Sequence, residues 1–444
     1  MTVSRTICLG FLGLILVGTL LLIMPFSLES GTWDNPVTAL FTATSAVCVT
    51  GLVVVDTGTH YSFWGQVAIA ILIQVGGLGY MTATTFLLLL LGGRFKLRYR
   101  LAVQQSLDAS GLSNVVQLVR SIIATTVLIQ LTGVFLLMLV FVPQHGFNLG
   151  LWEALFHSIS AFNNAGFSLF SDSLMQYVNS PLINFTLPVL VILGGIGYQV
   201  MMETYLWLKH LVFRKSQRFC FSLHFKVVTN TTLFLLIGGT IAIFLTELHN
   251  PKTLAPLSLG GKVMAAWFQS TIVRTAGFNS IDIAQMTNAA LFVTIALMLI
   301  GASPGGTGGG LKTTTVRVLA NCTTAVLRGR DEVLLYQRQV PTETILKAIG
   351  VVMGSMVTIV IATMLIALTD PNLDFIQIVF EVFSAFATVG LSTGITAQVS
   401  IWAKLVIIGV MYIGRVSVLL LISSFLGDPK PSAVDYPEED LLVG

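Results

Sequence analysis

Phe386-Ala387-Thr388-Val389-Gly390, read with the residues just before it, decides the fold, because its pattern occurs four times. An aromatic residue is followed four positions later by Ser or Thr, and six positions after that by Gly: Phe41/Ser45/Gly51, Phe156/Ser160/Gly166, Trp267/Thr271/Gly277 and Phe380/Ser384/Gly390. The glycines stand roughly 111 to 115 positions apart, so the chain reads as four copies of one unit, and such self-similarity has to be recognised before any local assignment. Four copies around an axis make a ring.

Composition says what solvent the ring sits in. Of 444 residues, 55% are hydrophobic and 10% charged, mean hydropathy is +0.87, and a soluble domain carries about 25% charged residues. Uncharged stretches of about 20 residues recur, each long enough to cross the hydrocarbon as a helix. The chain is therefore an integral membrane protein. Net charge, +3, gives no sign of a nucleic-acid partner, and none is expected. Cys8, Cys48, Cys220 and Cys322 are scattered without CxxC spacing and suggest neither a disulfide framework nor a zinc site.

The first span is expected at about 7–24, behind Arg5. It runs on through Met24-Pro25-Phe26 without a small-residue cleavage site, so it reads as a retained helix and not a signal peptide. Asp34, Asn35 and Pro36 then signal a helix start. The apolar segment that follows, to Val47, is about 12 residues, too short to span; it fits a re-entrant helix leading into an irregular Cys48-Val49-Thr50-Gly51. A second full span, about 63–91, carries Gly76, Gly77 and Gly79 where helices must pack closely. The order outer helix, short re-entrant helix, glycine loop, inner helix then repeats, with outer spans at about 121–142, 227–245 and 345–368 and inner spans at about 182–207, 291–318 and 404–425. The expected architecture is all-α. Four tandem units, residues 1–100, 101–220, 221–335 and 336–427, stand in a pseudo-fourfold arrangement around one pore, with eight crossings and four re-entrant pore helices. A short acidic tail, 428–444, follows with Asp435, Glu438, Glu439 and Asp440.

Lys and Arg placement gives the orientation. The joints between units hold Arg94, Lys96, Arg98, Arg100 and Arg120, then Lys209, Arg214, Lys215, Arg218 and Lys226, then Arg317, Arg328, Arg330, Arg338 and Lys347. These joints are expected to be cytoplasmic, which puts both termini there, and they offer contacts to a partner or to anionic membrane lipid. The opposite side is rich in acids: Glu29, Asp34, Asp56, Glu153, Asp172, Asp282, Asp370 and Asp374. An acidic outer mouth would concentrate cations, although ordinary loop solvation explains the same residues.

Bare backbone at membrane depth is tolerated only where protein buries it or where it lines a water-filled path. Four glycine loops therefore imply a path. Carbonyls of extended loops can replace the hydration shell of a monovalent cation, and each short helix points its negative C-terminal end to the same place. The expected filter comprises Cys48, Val49, Thr50 and Gly51; Asn163, Asn164, Ala165 and Gly166; Thr275, Ala276 and Gly277; and Ala387, Thr388, Val389 and Gly390. Isolated helix C-caps would also explain a glycine, but not four in register with Phe or Trp and Ser or Thr. Arg274 stands inside the third loop, where the other three loops are neutral. A charge there would repel the permeating ion unless its head turned away, so Arg274 is expected to support the loop from behind through an acidic or carbonyl partner. The third inner helix is interrupted by GASPGGTGGGLK, residues 301–312, while the other three read as continuous apolar helices. Leu311 separates glycine from Lys312, and a membrane helix precedes the run, so it is not a phosphate loop. Gly305, Gly306, Thr307, Gly308, Gly309, Gly310 and Lys312 are instead expected to plug the path below the filter. Arg415, a basic residue well inside a span, would bond their free carbonyls and raise a barrier to cations.

The six histidines show no metal-ligand spacing, no nucleophile and base stand together, and no enzyme activity is expected. The loops VCVTGL, SAFNNAGF, TIVRTAGF and SAFATVGL, with the glycine-rich break and Arg415, resemble the Trk/Ktr/HKT superfamily of potassium translocators. Within it the length is most similar to the membrane subunits of bacterial Ktr systems. The resemblance implies a potassium-uptake pore in the plasma membrane with K+ at the filter, no covalent cofactor, and in many members activation by Na+. It also implies a homodimer over a cytoplasmic ring of nucleotide-binding RCK-type regulatory subunits. Each loop has one family glycine where ordinary potassium channels have TVGYG, so weaker discrimination against sodium is expected. A secondary carrier coupling potassium to sodium or protons by alternating access is the competing reading. It is disfavoured because Glu203 lies near a helix end and Glu381 in a pore helix, which leaves no acid central in a span.

Overall fold

The computed structural model describes residues 3–79, 115–213 and 219–426. Several of its helices start where a short polar side chain takes up an orphan backbone donor. Asn35 accepts from the Val37 N–H at 2.9 Å, with Pro36 in the first helical turn. Ser222 accepts from Phe225 N–H at 3.0 Å, and Ser258, Thr287 and Ser400 accept from Gly261, Ala290 and Ala403 at 3.2 Å each. Each such cap contributes about 1 kcal/mol.

The helices are α1 Val3–Ile23, α2 Pro36–Cys48, α3 Thr57–His60, α4 Phe63–Leu78, α5 Val115–His145, α6 Phe147–Phe162, α7 Pro181–Gly195 and α8 Tyr198–Val212. After these come α9 Leu223–Glu247, α10 Leu259–Ile272, α11 Asn288–Leu299, α12 Thr313–Leu327, α13 Thr342–Thr369, α14 Phe375–Phe386, α15 Ile401–Val416 and α16 Val418–Leu426. Between α12 and α13 a small hairpin pairs Leu334–Leu335 with Arg338–Gln339. Within α1, α5, α9 and α13 lie four segments long and apolar enough to cross a membrane, and the bent pairs α7/α8 and α15/α16 bring the number to six among the described residues. Only 22% to 39% of each long apolar window is buried. Phe135, Phe234 and Val360 lie exposed along them, an arrangement that needs lipid, not water, as its solvent.

The short helices are the opposite. In α2, Phe41 through Cys48 are all buried, and Phe156, Phe268 and Phe380 are buried in α6, α10 and α14. Each outer helix packs on its own short helix: α1 on α2, α5 on α6, α9 on α10 and α13 on α14. Each following helix packs on the next short helix, α4 on α6, α7 on α10 and α11 on α14, and α15 returns to α2. The chain therefore closes on itself.

One expectation fails. The second and fourth inner helices are not continuous: α7 and α8 meet at 106°, and α15 and α16 at 93°. Gly197 and Ser417 sit at the breaks with φ of 91° and 79°. For α7 the cause is tertiary. The carbonyls of Gly195 and Gly194 accept from the N–H groups of Ser303 (2.9 Å) and Thr307 (3.1 Å), so the glycine-rich segment takes acceptors that a continuing helix would use. In the first unit α4 ends at Leu78, followed by Gly79 with φ of 79°. The remainder of the span expected to 91, the boundary near 100, Arg94, Lys96, Arg98, Arg100, Arg214, Lys215, Arg218 and the tail 428–444 lie outside the described residues.

Candidate functional site

Just past the four short helices the backbone does the same unusual thing. Val49, Asn164, Thr275 and Thr388, each two residues before its glycine, take left-handed φ values of 58°, 59°, 76° and 51°. Gly51, Gly166, Gly277 and Gly390 follow at 92°, 71°, 68° and 92°. A β-branched residue in this region costs about 1–3 kcal/mol and persists only where its surroundings over-determine it. They do here. The N–H groups of Thr50, Ala165 and Val389 each donate to the carbonyl five residues back, on Ser45, Ser160 and Ser384, at 2.8 Å. The third loop is tighter, with Ala276 N–H donating to Ile272 O at 2.9 Å. The recurring Ser has a visible task in two loops, where Ser45 Oγ accepts from Gly51 N–H (3.0 Å) and Ser384 Oγ from Gly390 N–H (3.1 Å). In the others the hydroxyl turns to backbone: Ser160 donates to Phe167 O at 2.8 Å and Thr271 to Trp267 O at 3.0 Å.

The four glycines meet in a closed cycle. A Cβ placed on Gly51 would collide with Ala165 O, with Gly166 Cα at 3.1 Å. One on Gly166 would lie 2.7 Å from Ala276 O, one on Gly277 would lie 2.5 Å from Val389 O, and one on Gly390 would collide with Thr50 O. Each loop thus sets the carbonyl before its glycine against the glycine of the preceding loop. On one side the four glycines line a cavity of about 380 Å3, together with Asp56, Asp172, Ser168, Ser392 and Thr396. The other candidate filter residues, Cys48, Val49, Thr50, Asn163, Asn164, Ala165, Thr275, Ala276, Ala387, Thr388 and Val389, are buried. Of the acids expected at the mouth, Asp56 and Asp172 reach this cavity. Others hold local structure: Asp34 pairs with His60 at 3.3 Å, Glu153 with His145 at 2.6 Å, and Asp282 accepts from Ala284 N–H at 2.9 Å.

The glycine-rich segment lies against the far side of these loops. Gly309 N–H donates to Thr388 Oγ1 at 3.0 Å. Thr307 Oγ1 donates to Phe162 O at 3.3 Å and lies 3.2 Å from the side-chain amide of Asn164, whose oxygen accepts from Thr275 Oγ1 at 3.1 Å. Its glycines are required by contact, since a Cβ on Gly308 would strike Thr275 and one on Gly309 would lie 2.5 Å from Thr388 Oγ1. Lys312 Nζ donates to Gly308 O at 2.8 Å. Arg415, at the last turn of α15, donates to Thr307 O, to Gly76 O and, at 3.2 Å, to Gly77 O, tying the segment to α4. Gly305, Gly306, Thr307, Gly308, Lys312 and Arg415 line a second cavity of about 320 Å3 that shares no residue with the first. Gly310 sits 3.3 Å from Ala387 by the same measure.

Arg274, expected to support the loop through an acidic or carbonyl partner, does not line the first cavity, and its Nε–H has no acceptor among the described residues. Sequence reading also missed the side chains that fasten the loops. Asn163 does not line the first cavity and donates to Gln74 Oε1 at 2.8 Å. The residue after each motif aromatic braces the loop beyond the glycine in two units: His157 meets Ser168 Oγ at 3.0 Å, and Glu381 accepts from Ser392 Oγ at 2.9 Å and from Thr396 Oγ1. Aligning the four motifs would have exposed Thr42, His157, Phe268 and Glu381 as one position.

Residues 12–435 match the TrkH family, described as cation transport protein. Over 99% of its length the chain is 42% identical to the Ktr system potassium uptake protein B of Vibrio alginolyticus, covering 94% of that protein. It is 38% identical to the protein of the same name in Bacillus subtilis (100% and 97% covered) and 37% identical to the potassium/sodium uptake protein NtpJ of Enterococcus hirae (99% and 97%). The crystal structure of the potassium transporter TrkH from Vibrio parahaemolyticus superposes with a TM-score of 0.70 at 18% identity, covering 95% of this chain and 85% of that one.

Proposed function

This chain belongs to the TrkH family of cation transport proteins, a family of potassium-uptake transporters, and from that premise we propose that it passes K+ across the plasma membrane through a selective path lined by its four glycine loops. The observation that carries this reading is the closed cycle in which each loop's carbonyl abuts a neighbouring glycine. Carbonyls held on so tight a ring can replace the hydration shell of a dehydrated monovalent cation. The C-terminal ends of α2, α6, α10 and α14 add their negative dipole ends at the same place. The four outer, short and inner helix units are the repeats of one pseudo-fourfold pore of eight crossings, and the helix packing that returns from α15 to α2 supports that arrangement.

Flow is stopped below the filter. Residues 305–310 fill the path between the two cavities, and the Arg415 guanidinium both holds them and opposes an arriving cation. Control comes from the cytoplasmic side, where α12 leads from the segment to basic residues Arg317, Arg328 and Arg330. Two relatives carry names that make them one component of a Ktr system, which supports a regulatory partner, here a nucleotide-binding ring of RCK type beneath a homodimer with both termini cytoplasmic. A relative named for potassium and sodium supports Na+ as activator or as a second permeant ion.

Gly277→Ser tests the reading. Its Cβ would fall 2.5 Å from Val389 O and 3.2 Å from Gly390 Cα at a left-handed φ. Strain of about 1–3 kcal/mol at such a position, relieved by moving the carbonyls off their ring, corresponds to about 5- to 150-fold in ion discrimination. Potassium preference over sodium in proteoliposome uptake should fall by that amount. A folded variant with unchanged preference rules out the assignment of this loop.

A further inference from the structure

The fourth loop is backed by a buried carboxylate that meets no cation. Glu381, in α14, is fully buried and lies in none of the ion pairs among the described residues. Its Oε2 accepts from Ser392 Oγ at 2.9 Å, and its Oε1 accepts from Thr396 Oγ1. Both hydroxyls belong to the stretch just past Gly390, and both residues line the first cavity together with the four glycines. Of the four equivalent positions, Thr42, His157, Phe268 and Glu381, the last alone carries a carboxylate. Thr42 Oγ1 accepts from Tyr61 Oη at 3.1 Å, and His157 meets Ser168. The cavity wall built by the fourth unit therefore differs in kind from the others. Asp56 and Asp172 line the same cavity from the first and second units, and Lys404, near the fourth, donates to Ala397 O at 3.2 Å and not to Glu381.

A carboxylate withdrawn from water without a cation is costly, and hydroxyl donors offset only part of that cost. A cation in the adjoining cavity supplies the rest. The same hydrogen bonds set the polarity of the wall. Because Ser392 and Thr396 give their hydrogens to Glu381, their oxygens remain as acceptors, and donation to a charged partner strengthens the negative end that each presents. Ser392 Oγ already accepts from Gly394 N–H at 2.9 Å, so Thr396 Oγ1 has the freer lone pairs. We propose that Ser392 and Thr396, polarised by Glu381, form a subsite that holds a partly dehydrated monovalent cation in the first cavity, next to the glycine ring, with Glu381 as its positioning residue. The inference rests on the potassium path proposed above and adds to it a place where the ion pauses.

Rubidium uptake into proteoliposomes is measured against rubidium concentration for the parent and for Glu381→Gln. Loss of a charge this close to the cavity should raise KM roughly tenfold while kcat stays within about twofold. Glu381→Asp, which keeps the charge, should bring KM back to within about threefold of the parent. A purely structural role would lower folded yield or kcat and leave KM in place, and that result overturns the inference. Where Glu381→Gln does not fold, Thr396→Val is read instead: its KM should rise, and an unchanged KM overturns the inference equally. Crystals of the parent soaked in thallium(I) should show anomalous density beside Thr396 Oγ1, and its absence there would overturn the subsite whatever the transport data. A parent without saturable rubidium uptake would remove the potassium path itself, and the thallium density would then decide the subsite alone.

Discussion

Replacing Arg415 with Met is expected to open the path. The substitution keeps an unbranched stem and removes a guanidinium that donates to Thr307 O, Gly76 O and Gly77 O. A hydrogen bond from a charged donor contributes about 1.5–3 kcal/mol where its partner is otherwise lost. Two of the three acceptors, on Thr307 and Gly77, lie on residues that line a cavity of about 320 Å3 from which water can reach them, so about 1 kcal/mol per bond is the better figure. The sum, about 3 kcal/mol, shifts a closed-to-open equilibrium by roughly 100-fold. Other bonds still hold the segment: Thr307 N–H to Gly194 O, Ser303 N–H to Gly195 O, and Gly309 N–H to Thr388 Oγ1. The segment should therefore become mobile in place, without leaving. The assay is rubidium uptake into proteoliposomes containing the chain alone, where basal flux should rise between about 10-fold and 100-fold. Flux no higher than that of the parent, in protein that elutes as a folded species, would refute the view that Arg415 holds a gate shut.

Deleting part of residues 305–310 removes the contacts of Thr307 and Gly309 with α7 and the fourth loop, and should raise flux while weakening its dependence on a cytoplasmic partner; uptake measured with and without that partner checks both. Asp370, at the C-terminal end of α13, gives a pH signature. Burial pushes its carboxyl up, but donation from Ser400 Oγ (2.7 Å) and N–H (2.9 Å) and from Thr369 Oγ1 (2.8 Å), with Lys404 nearby, outweighs burial and holds it below the usual carboxylate range. A depressed folded value stabilises the protein above the unfolded value of about 3.9 and is lost as pH falls through the folded one. The gap in unfolding midpoint between parent and Asp370→Asn should thus be full at neutral pH and close in strong acid, as thermal unfolding across pH will read.

Much of the fold is legible because its signals are local. Asn35-Pro36 starts α2 where the cap and proline say it should, and the segment that follows, about 12 residues to Val47, is too short to span. The four glycines announce themselves because the left-handed conformation leaves few alternatives, and their mutual contact follows from their register. What escapes is tertiary in origin. The glycines of Gly194-Gly195-Ile196-Gly197 permit a break, but they do not say that α7 turns there; that depends on Ser303 and Thr307, more than a hundred residues away, taking its carbonyls. Ser417 at φ 79° carries no local signal at all, since Ser is an ordinary helix residue. Asn163 and Asn164 look interchangeable as a pair, yet one reaches Gln74 and the other Thr275. Which neighbour each meets is set by the packing of α4 on α6 and of α7 on α10.

The reversal potential of the purified chain in a planar bilayer, with potassium and sodium gradients opposed, tests the central claim most directly. A selective passive path through the four glycine loops predicts a reversal near the potassium equilibrium potential, moving toward the sodium value in Gly277→Ser. A reversal fixed instead by the combined gradients of two ions in constant ratio, and unmoved by that substitution, would contradict it.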